Sequence, residues 1–138
     1  MRKTSVACAL ATGIAVCAMT AAALADTLEE LQGAWALDGI DCTETFKRDG
    51  DAVTFQDSPT TIKAGIIVNG DRIVGPSSTC TADRVRKEEG RLIARLTCSD
   101  SVMVGGRSVA FKILDADHFE TFDHFFPNDP TGYHKCPM

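Results

Sequence analysis

Short segments of alternating polar and apolar residues, separated by turn-forming residues, restrict the fold of this chain more than any other feature of its sequence. Turn signals occur at Asn69-Gly70, Glu89-Gly90, Gly105-Gly106 and Asp115–Asp117, each between two such segments. A period of two residues is typical of strands that bury one face, and regularly spaced turns are typical of hairpins. No long helical periodicity follows Ala25. We therefore predict an all-β fold of seven or eight strands, either a small antiparallel meander barrel or a sandwich.

Local patterns predict the elements between these hairpins. Thr27–Leu31 begins like a capping box and predicts one short helical turn. Gln32–Ile40 and Ala52–Phe55 predict strands, and His118–Phe122 predicts a strand near the C-terminus. Cys42–Arg48 has no clear period, so a helical turn and an irregular strand both remain open for it.

Residues 1–25 have the pattern of a secretory signal peptide. Two basic residues precede an apolar stretch rich in alanine, which ends in the cleavage-type triplet Ala23-Leu24-Ala25. We predict cleavage before Asp26, a periplasmic or secreted location, and no membrane anchor after cleavage. Residues 26–138 then form a single β domain.

The acidic net charge argues against a nucleic-acid partner. The formal net charge is −5, and it becomes −7 when the two bases of the leader are removed. Binding to nucleic acid requires a dense basic face that displaces counterions from phosphates. The most basic stretch, Arg84–Lys87, is followed directly by two glutamates, so we predict a solvated hairpin arm there and no nucleic-acid site.

Two of the six cysteines lie in the leader, and the remaining four are expected to form two disulfides. Four cysteines allow three pairings, and the hairpin pattern of residues 81–97 selects among them. A hairpin centred on Glu89 places three pairs opposite one another: Cys80 and Cys98, Asp83 and Arg95, and Val85 and Ile93. Because facing cysteines approach disulfide distance, we predict the pairs Cys80–Cys98 and Cys42–Cys136.

All three histidines, His118, His124 and His134, lie near the C-terminus. An even number separates His118 from His124, so an uninterrupted strand would place both on one face, as a metal site requires. Phe119 then lies on the opposite face, as expected of a strand with one buried side. We interpret the histidines as solvent-facing residues and predict no metal site. The alternative is a site formed by His118 and His124 with Asp117, Asp123 or His134 as the third ligand.

Aromatic residues are concentrated in the last third of the chain. Phe119 and Phe122 have opposite parity, so one of them should point away from the interior of a regular strand. Part of the cluster is therefore core, and part is available as an apolar docking surface. The candidate binding residues are Phe122, Phe125, Phe126 and Tyr133.

The sequence contains no catalytic motif that we can identify. It has no Gly-x-Ser-x-Gly elbow, no His-Glu-x-x-His zinc helix, no phosphate-binding loop and no Cys-x-x-Cys pair. We predict no enzymatic activity, no catalytic residues and no cofactor.

Gly33-Ala34-Trp35 opens the first predicted strand and resembles the Gly-x-Trp first strand of the lipocalin-like, or calycin-like, barrels. The wider spacing from Leu31 to Cys42 is similar to the start of small periplasmic inhibitors of bacterial metalloproteases, which are eight-stranded barrels. In such a barrel Trp35 is a large apolar plug that closes one end. The overall pattern and the closing Tyr133–Met138 resemble small exported alphaproteobacterial proteins, which implies a Gram-negative periplasm.

These features favour a non-enzymatic periplasmic binding or protein-interaction module. Its expected partner is an unknown envelope protein, contacted through the region from Phe122 to Tyr133. Two alternatives accompany this hypothesis. The resemblance to the inhibitors implies inhibition of an exported protease, and a barrel interior admits carriage of a small apolar ligand.

Overall fold

The computed structural model describes residues 26–58 and 63–138. The predicted leader, residues 1–25, lies outside the described residues. The described part contains a 3-10 turn at Glu29–Leu31, a four-residue helix and ten strands. Their bounds are β1 Gly33–Leu37, α1 Cys42–Thr45, β2 Phe46–Asp49, β3 Ala52–Phe55, β4 Gly65–Asn69, β5 Arg72–Val74, β6 Thr79–Glu88, β7 Arg91–Ser99, β8 Val104–Ile113, β9 His118–Asp123 and β10 Thr131–Lys135.

Eight of these strands form a closed antiparallel barrel in the order β1-β10-β9-β8-β7-β6-β5-β4. From β4 to β10 each strand pairs with the next one along the chain, which is the predicted meander, and β1 closes the barrel between β4 and β10. The prediction of an all-β fold is confirmed, and of the two architectures the barrel is the one formed. Closure removes the free edges that an open sheet would leave.

Trp35 closes one end of the barrel from the inside. Its side chain is 1% exposed, and its Nε1 donates a hydrogen bond to the carbonyl oxygen of Leu31 at 2.8 Å. Leu28 and Leu31 precede β1 and are buried in the same cluster of apolar side chains. The ring of Phe119 meets Trp35 edge-on at 4.7 Å. Trp35 is therefore the apolar plug that the sequence predicts.

The β6–β7 hairpin confirms one predicted contact and corrects two. Cys80 lies opposite Cys98, and the two form a disulfide. The turn, however, contains two residues, Glu89 and Gly90, both with positive φ, as a tight hairpin turn requires. A bulge at Asp83 adds one residue to β6, so the pairing between the bulge and the turn is shifted by one residue from the predicted register. Two predicted pairs are therefore wrong, since the observed pairs beyond the bulge are Arg84 with Arg95, Val85 with Ala94 and Arg86 with Ile93.

The turn predicted at Gly105-Gly106 is also wrong. Strand β8 begins at Val104 and runs through both glycines, and Gly105 lies opposite Cys98. The turn lies earlier, because the carboxylate of Asp100 accepts hydrogen bonds from the backbone N–H groups of Val102 and Met103 at 2.7 and 2.9 Å. An aspartate that binds the backbone two and three residues ahead fixes the reversal without a glycine.

A second, smaller core covers the outer wall of the barrel. Strands β2 and β3 form a separate hairpin, and Phe46 at its start is buried against Ala34 and Ala36 on the outer face of β1. The Cys42–Cys136 disulfide ties α1 to the end of β10 in the same cluster. Both predicted pairings are thus present. Residues 42–48 contain a helical turn followed by a strand, so both interpretations apply in part.

The other local predictions hold with shifted boundaries. The predicted helical turn is the 3-10 turn at Glu29–Leu31, and Thr27 Oγ1 accepts a hydrogen bond from the N–H of Glu29. The first strand is shorter than predicted and ends at Leu37. The Asn69-Gly70 hairpin is present, with Asn69 opposite Arg72.

Candidate ligand-binding site at the open end of the barrel

The two ends of the barrel differ. The N-terminal segment crosses the closed end, where the β4–β5 and β6–β7 turns lie. The open end carries the β5–β6, β7–β8 and β9–β10 connections. A cavity of about 360 Å³ leads from the open end into the interior. Sites for small molecules span roughly 300 to 1,000 Å³, so this cavity is large enough for a small ligand.

The cavity wall is apolar because alternate residues of the barrel strands point inward. Its inward-facing apolar side chains are Leu37, Ile66, Ile73, Leu96, Val109 and Phe111. Below them the ring of Phe111 meets Phe119 edge-on at 5.8 Å, and Phe119 in turn contacts the Trp35 plug. The cavity therefore has aliphatic walls that lead down to a cluster of aromatic rings.

Charged side chains face inward at the mouth of this cavity. Arg107 lies opposite the buried Leu96, and Asp123 lies opposite the buried Val109, so both occupy inward positions on their strands. Their side chains form an ion pair, with Arg107 Nη2 at 3.3 Å from Asp123 Oδ2. Lys63 also lines the cavity. Two cationic groups therefore line the cavity, and the carboxylate of Asp123 lies beside one of them.

Tyr133 places a hydroxyl group inside the cavity. Its ring stacks on Phe119 with a centroid distance of 4.9 Å. Burial raises the pKa of the phenol. The nearby positive charge of Arg107 and a hydrogen bond with Thr121 lower the pKa, but burial has the larger effect. The hydroxyl therefore stays protonated at neutral pH and can donate a hydrogen bond to a bound molecule.

An apolar rim, formed by Val102–Val104 and Phe125-Phe126, lies at the open end of the barrel. Val102 is 85% exposed and Phe125 is 82% exposed. The first segment belongs to the β7–β8 connection and the second to the β9–β10 connection, so both lie at the open end. Large exposed apolar side chains in one area are typical of a contact surface.

The four predicted binding residues fall into three environments. Phe125 and Phe126 are on the rim, and Tyr133 lines the cavity. Phe122 faces outward, where the guanidinium of Arg91 covers its ring at 4.1 Å. Phe119 is buried. As their opposite parity predicts, one of these two phenylalanines points into the barrel and the other points away from it.

Sequence reasoning missed Arg107 and the aliphatic walls of the cavity. Arg107 has the same parity as Val109 and Phe111, which is the signal that could have placed it inside. The turn predicted at Gly105-Gly106 obscured that signal, because it treated Arg107 as the first residue after a reversal.

The structure brings two of the three histidines together. His118 and His134 lie opposite each other on the outer faces of β9 and β10. His124 follows β9 at the open end, six residues from His118, or roughly 20 Å along an extended strand. The His118 ring instead contacts the Asp115 carboxylate at 3.0 Å. A metal site that needs both His118 and His124 does not fit this arrangement.

No helix in the described part of the chain has the length and hydropathy needed to cross a membrane. Comparisons of the chain with protein-family models, with curated proteins and with solved structures gave no match. The case for the open-end site therefore comes from its geometry.

Proposed function

We propose that this protein is a non-enzymatic periplasmic binding module that carries a small apolar ligand in the open end of its barrel. The observation that supports this most is the cavity of about 360 Å³, whose walls are aliphatic and whose mouth is polar. Binding sites for small molecules combine such apolar walls with a few fixed polar groups.

The polar groups indicate which ligand suits the site. Arg107, Lys63 and the hydroxyl of Tyr133 are hydrogen-bond donors at or near the mouth, and Asp123 is an acceptor. A ligand with an apolar body and one acceptor group fits this set, because its body would lie against Leu96 and Val109 while its acceptor faces the donors. Arginine and tyrosine would then fix its orientation.

A second function, docking to an envelope protein, is favoured by the apolar rim. Val102–Val104 and Phe125-Phe126 project into solvent on two neighbouring connections. Interfaces between proteins are enriched in aromatic residues and methionine, and the rim contains both. In this proposal the partner covers the mouth of the cavity.

We do not extend the proposal to protease inhibition. That mechanism needs a free N-terminal segment that enters the protease cleft. Here Leu28 is 2% exposed, and the Asp26 carboxylate accepts a hydrogen bond from the backbone N–H of Lys87 at 2.7 Å. The segment is thus packed on the barrel.

A cavity-filling substitution tests ligand carriage. We expect the chain from Asp26 to bind one molecule of an environment-sensitive apolar dye, and Val109→Phe to weaken this binding at least about tenfold because it fills the cavity. Ser108→Phe is the matched control, since it adds the same ring to the outer face of the same strand. Dye fluorescence titration measures affinity, and thermal melting verifies that both variants fold. Equal dye affinity in the two folded variants would contradict the proposal.

A further inference from the structure

The Cys42–Cys136 disulfide lies on the outer wall of the barrel beside an imidazole. His134 Nε2 is 3.6 Å from Cys42 Sγ. His134 and Cys136 are two residues apart, and both point away from the barrel interior. One ligand atom from each of Cys42, His134 and Cys136 lies within 4.8 Å of the other two. Metal sites need at least three such ligand atoms close together. Within residues 26–58 and 63–138, these three residues are the group of histidine, cysteine and acidic side chains that meets this condition.

A carboxylate lies behind the imidazole ring. His134 Nδ1 is 3.7 Å from Asp38 Oδ1, so one ring nitrogen faces a carboxylate and the other faces the Cys42 sulfur. Gly132 makes room for this carboxylate, because a Cβ at that position would overlap the Asp38 side chain. The backbone N–H of Asp38 also donates a hydrogen bond to the Gly132 carbonyl at 3.0 Å. In metal-binding histidines the second nitrogen usually has an acceptor beside it, a carboxylate, a backbone carbonyl or a water, which leaves the first nitrogen free to bind.

We propose that reduction of the Cys42–Cys136 disulfide creates a zinc site formed by Cys42, Cys136 and His134. A dithiol reductant supplies two electrons and two protons, and it becomes a disulfide while the S–S bond breaks into two thiols. Zinc then binds both sulfurs as thiolates and the His134 Nε2 lone pair, and two protons leave to solvent. Two thiolates, one imidazole and one open position for water form a common tetrahedral zinc environment.

The required movement is small and lies outside the barrel core. Zinc–sulfur bonds of about 2.3 Å in a tetrahedral site place the two sulfurs roughly 3.8 Å apart, compared with about 2.0 Å across a disulfide bond. Cys42 belongs to a four-residue helix, and Cys136 follows β10, which ends at Lys135. Neither cysteine belongs to a barrel strand, so the sulfurs can separate without a change in strand register.

The second disulfide provides an internal control. Cys80 and Cys98 face each other on β6 and β7 inside the barrel, whereas His118 and His134 lie on the outer faces of β9 and β10. Among the described residues, the group with metal-site spacing contains neither Cys80 nor Cys98. The proposal therefore assigns zinc binding to one of the two bridges.

The test measures Zn²⁺ binding to the whole chain from Asp26, before and after treatment with a phosphine reductant, by competition with a chromogenic chelator. We expect one tight site in the reduced protein and none in the oxidised protein. His134→Ala should weaken the site at least about tenfold, and Asp38→Asn by about tenfold to a hundredfold, as for other carboxylates behind a metal-binding histidine. Cys42→Ala/Cys136→Ala should abolish it, whereas Cys80→Ala/Cys98→Ala should keep it.

The dependence on His134 keeps the test decisive even if reduction loosens the fold. An unfolded chain with free thiols would bind zinc equally well with or without this histidine, so equal affinity of the reduced wild type and His134→Ala would overturn the proposal. Absence of zinc binding to the reduced wild type would overturn it as well. Thermal melting should also show that zinc stabilises the reduced wild type and leaves reduced Cys42→Ala/Cys136→Ala unchanged.

Discussion

Loss of the Cys42–Cys136 disulfide should destabilise the fold more than loss of Cys80–Cys98, although the second bridge lies deeper in the barrel. A disulfide restricts the unfolded chain, and the effect grows with the length of the loop that it closes. The two bridges span sequence separations of 94 and 18. In the chain-entropy treatment, these loops correspond to about 4.7 and about 3.2 kcal/mol.

The loops are nested, which lowers the expected contribution of each bridge by the same small amount and leaves the difference between them unchanged. When Cys80–Cys98 is intact, it shortens the free part of the longer loop from 94 to about 76 residues, and the expected contribution of Cys42–Cys136 falls to about 4.5 kcal/mol. Each bridge contains one buried cysteine, Cys136 or Cys80, so replacement by alanine removes similar packing at the two sites. One variant keeps only the short loop and the other only the long loop, so their free energies of unfolding should differ by about 1.5 kcal/mol.

Urea unfolding of the wild type, Cys42→Ala/Cys136→Ala and Cys80→Ala/Cys98→Ala measures this difference. The chain has one tryptophan, Trp35, and its ring is buried, so its fluorescence reports global unfolding of the barrel. Equal losses in the two variants, or a larger loss for Cys80→Ala/Cys98→Ala, would refute the assignment of stability to loop closure.

Two further predictions concern the bulge and the tyrosine. Deletion of Asp83 should preserve the Cys80–Cys98 disulfide, because the bulge residue is extra and its neighbours already pair in register. Deletion of Thr97 should prevent the disulfide, because it turns Cys98 to the outer face. Peptide mapping without reduction distinguishes these outcomes. Burial should give Tyr133 a pKa above the usual value of about 10, and absorbance titration reads it directly because the chain has one tyrosine. Since the folded state holds this proton more tightly, its contribution to stability is complete below about pH 10 and is lost as the pH rises through the folded pKa. A phenol that titrates at or below the usual value, or a Tyr133→Phe variant with the same alkaline loss of stability, would contradict the buried position.

Much of the fold follows from local sequence. Asn69-Gly70 and Glu89-Gly90 mark true hairpins because their glycines adopt positive φ. The Gly105-Gly106 signal misled because glycine also occurs within strands, and the side chain of Asp100 had already fixed the turn. Composition alone does not distinguish these two uses of glycine.

The disulfide pairing was predicted correctly although the predicted strand register beside the turn was off by one residue. The bulge at Asp83 cancels that error for Cys80 and Cys98 and leaves it in place between the bulge and the turn. A bulge has no reliable sequence signal, so register beyond it cannot be derived from the turn alone.

The candidate site was less accessible to sequence reasoning than the fold. Tyr133, Phe125 and Phe126 stood out as aromatic residues, but the cavity exists only because β1 closes the sheet between β4 and β10. Closure depends on long-range pairing, which no local pattern specifies. The same holds for His134 and Cys42, which are 92 residues apart and meet only in the folded chain.

A methyl NMR titration of the chain from Asp26 with the apolar dye tests ligand carriage most directly. The account predicts saturable shifts at one dye per chain in the methyl groups of Ile73, Leu96 and Val109, and no shift at Leu31 in the closed end. Binding that leaves the three cavity methyl groups unchanged, or no saturable binding, would contradict the account.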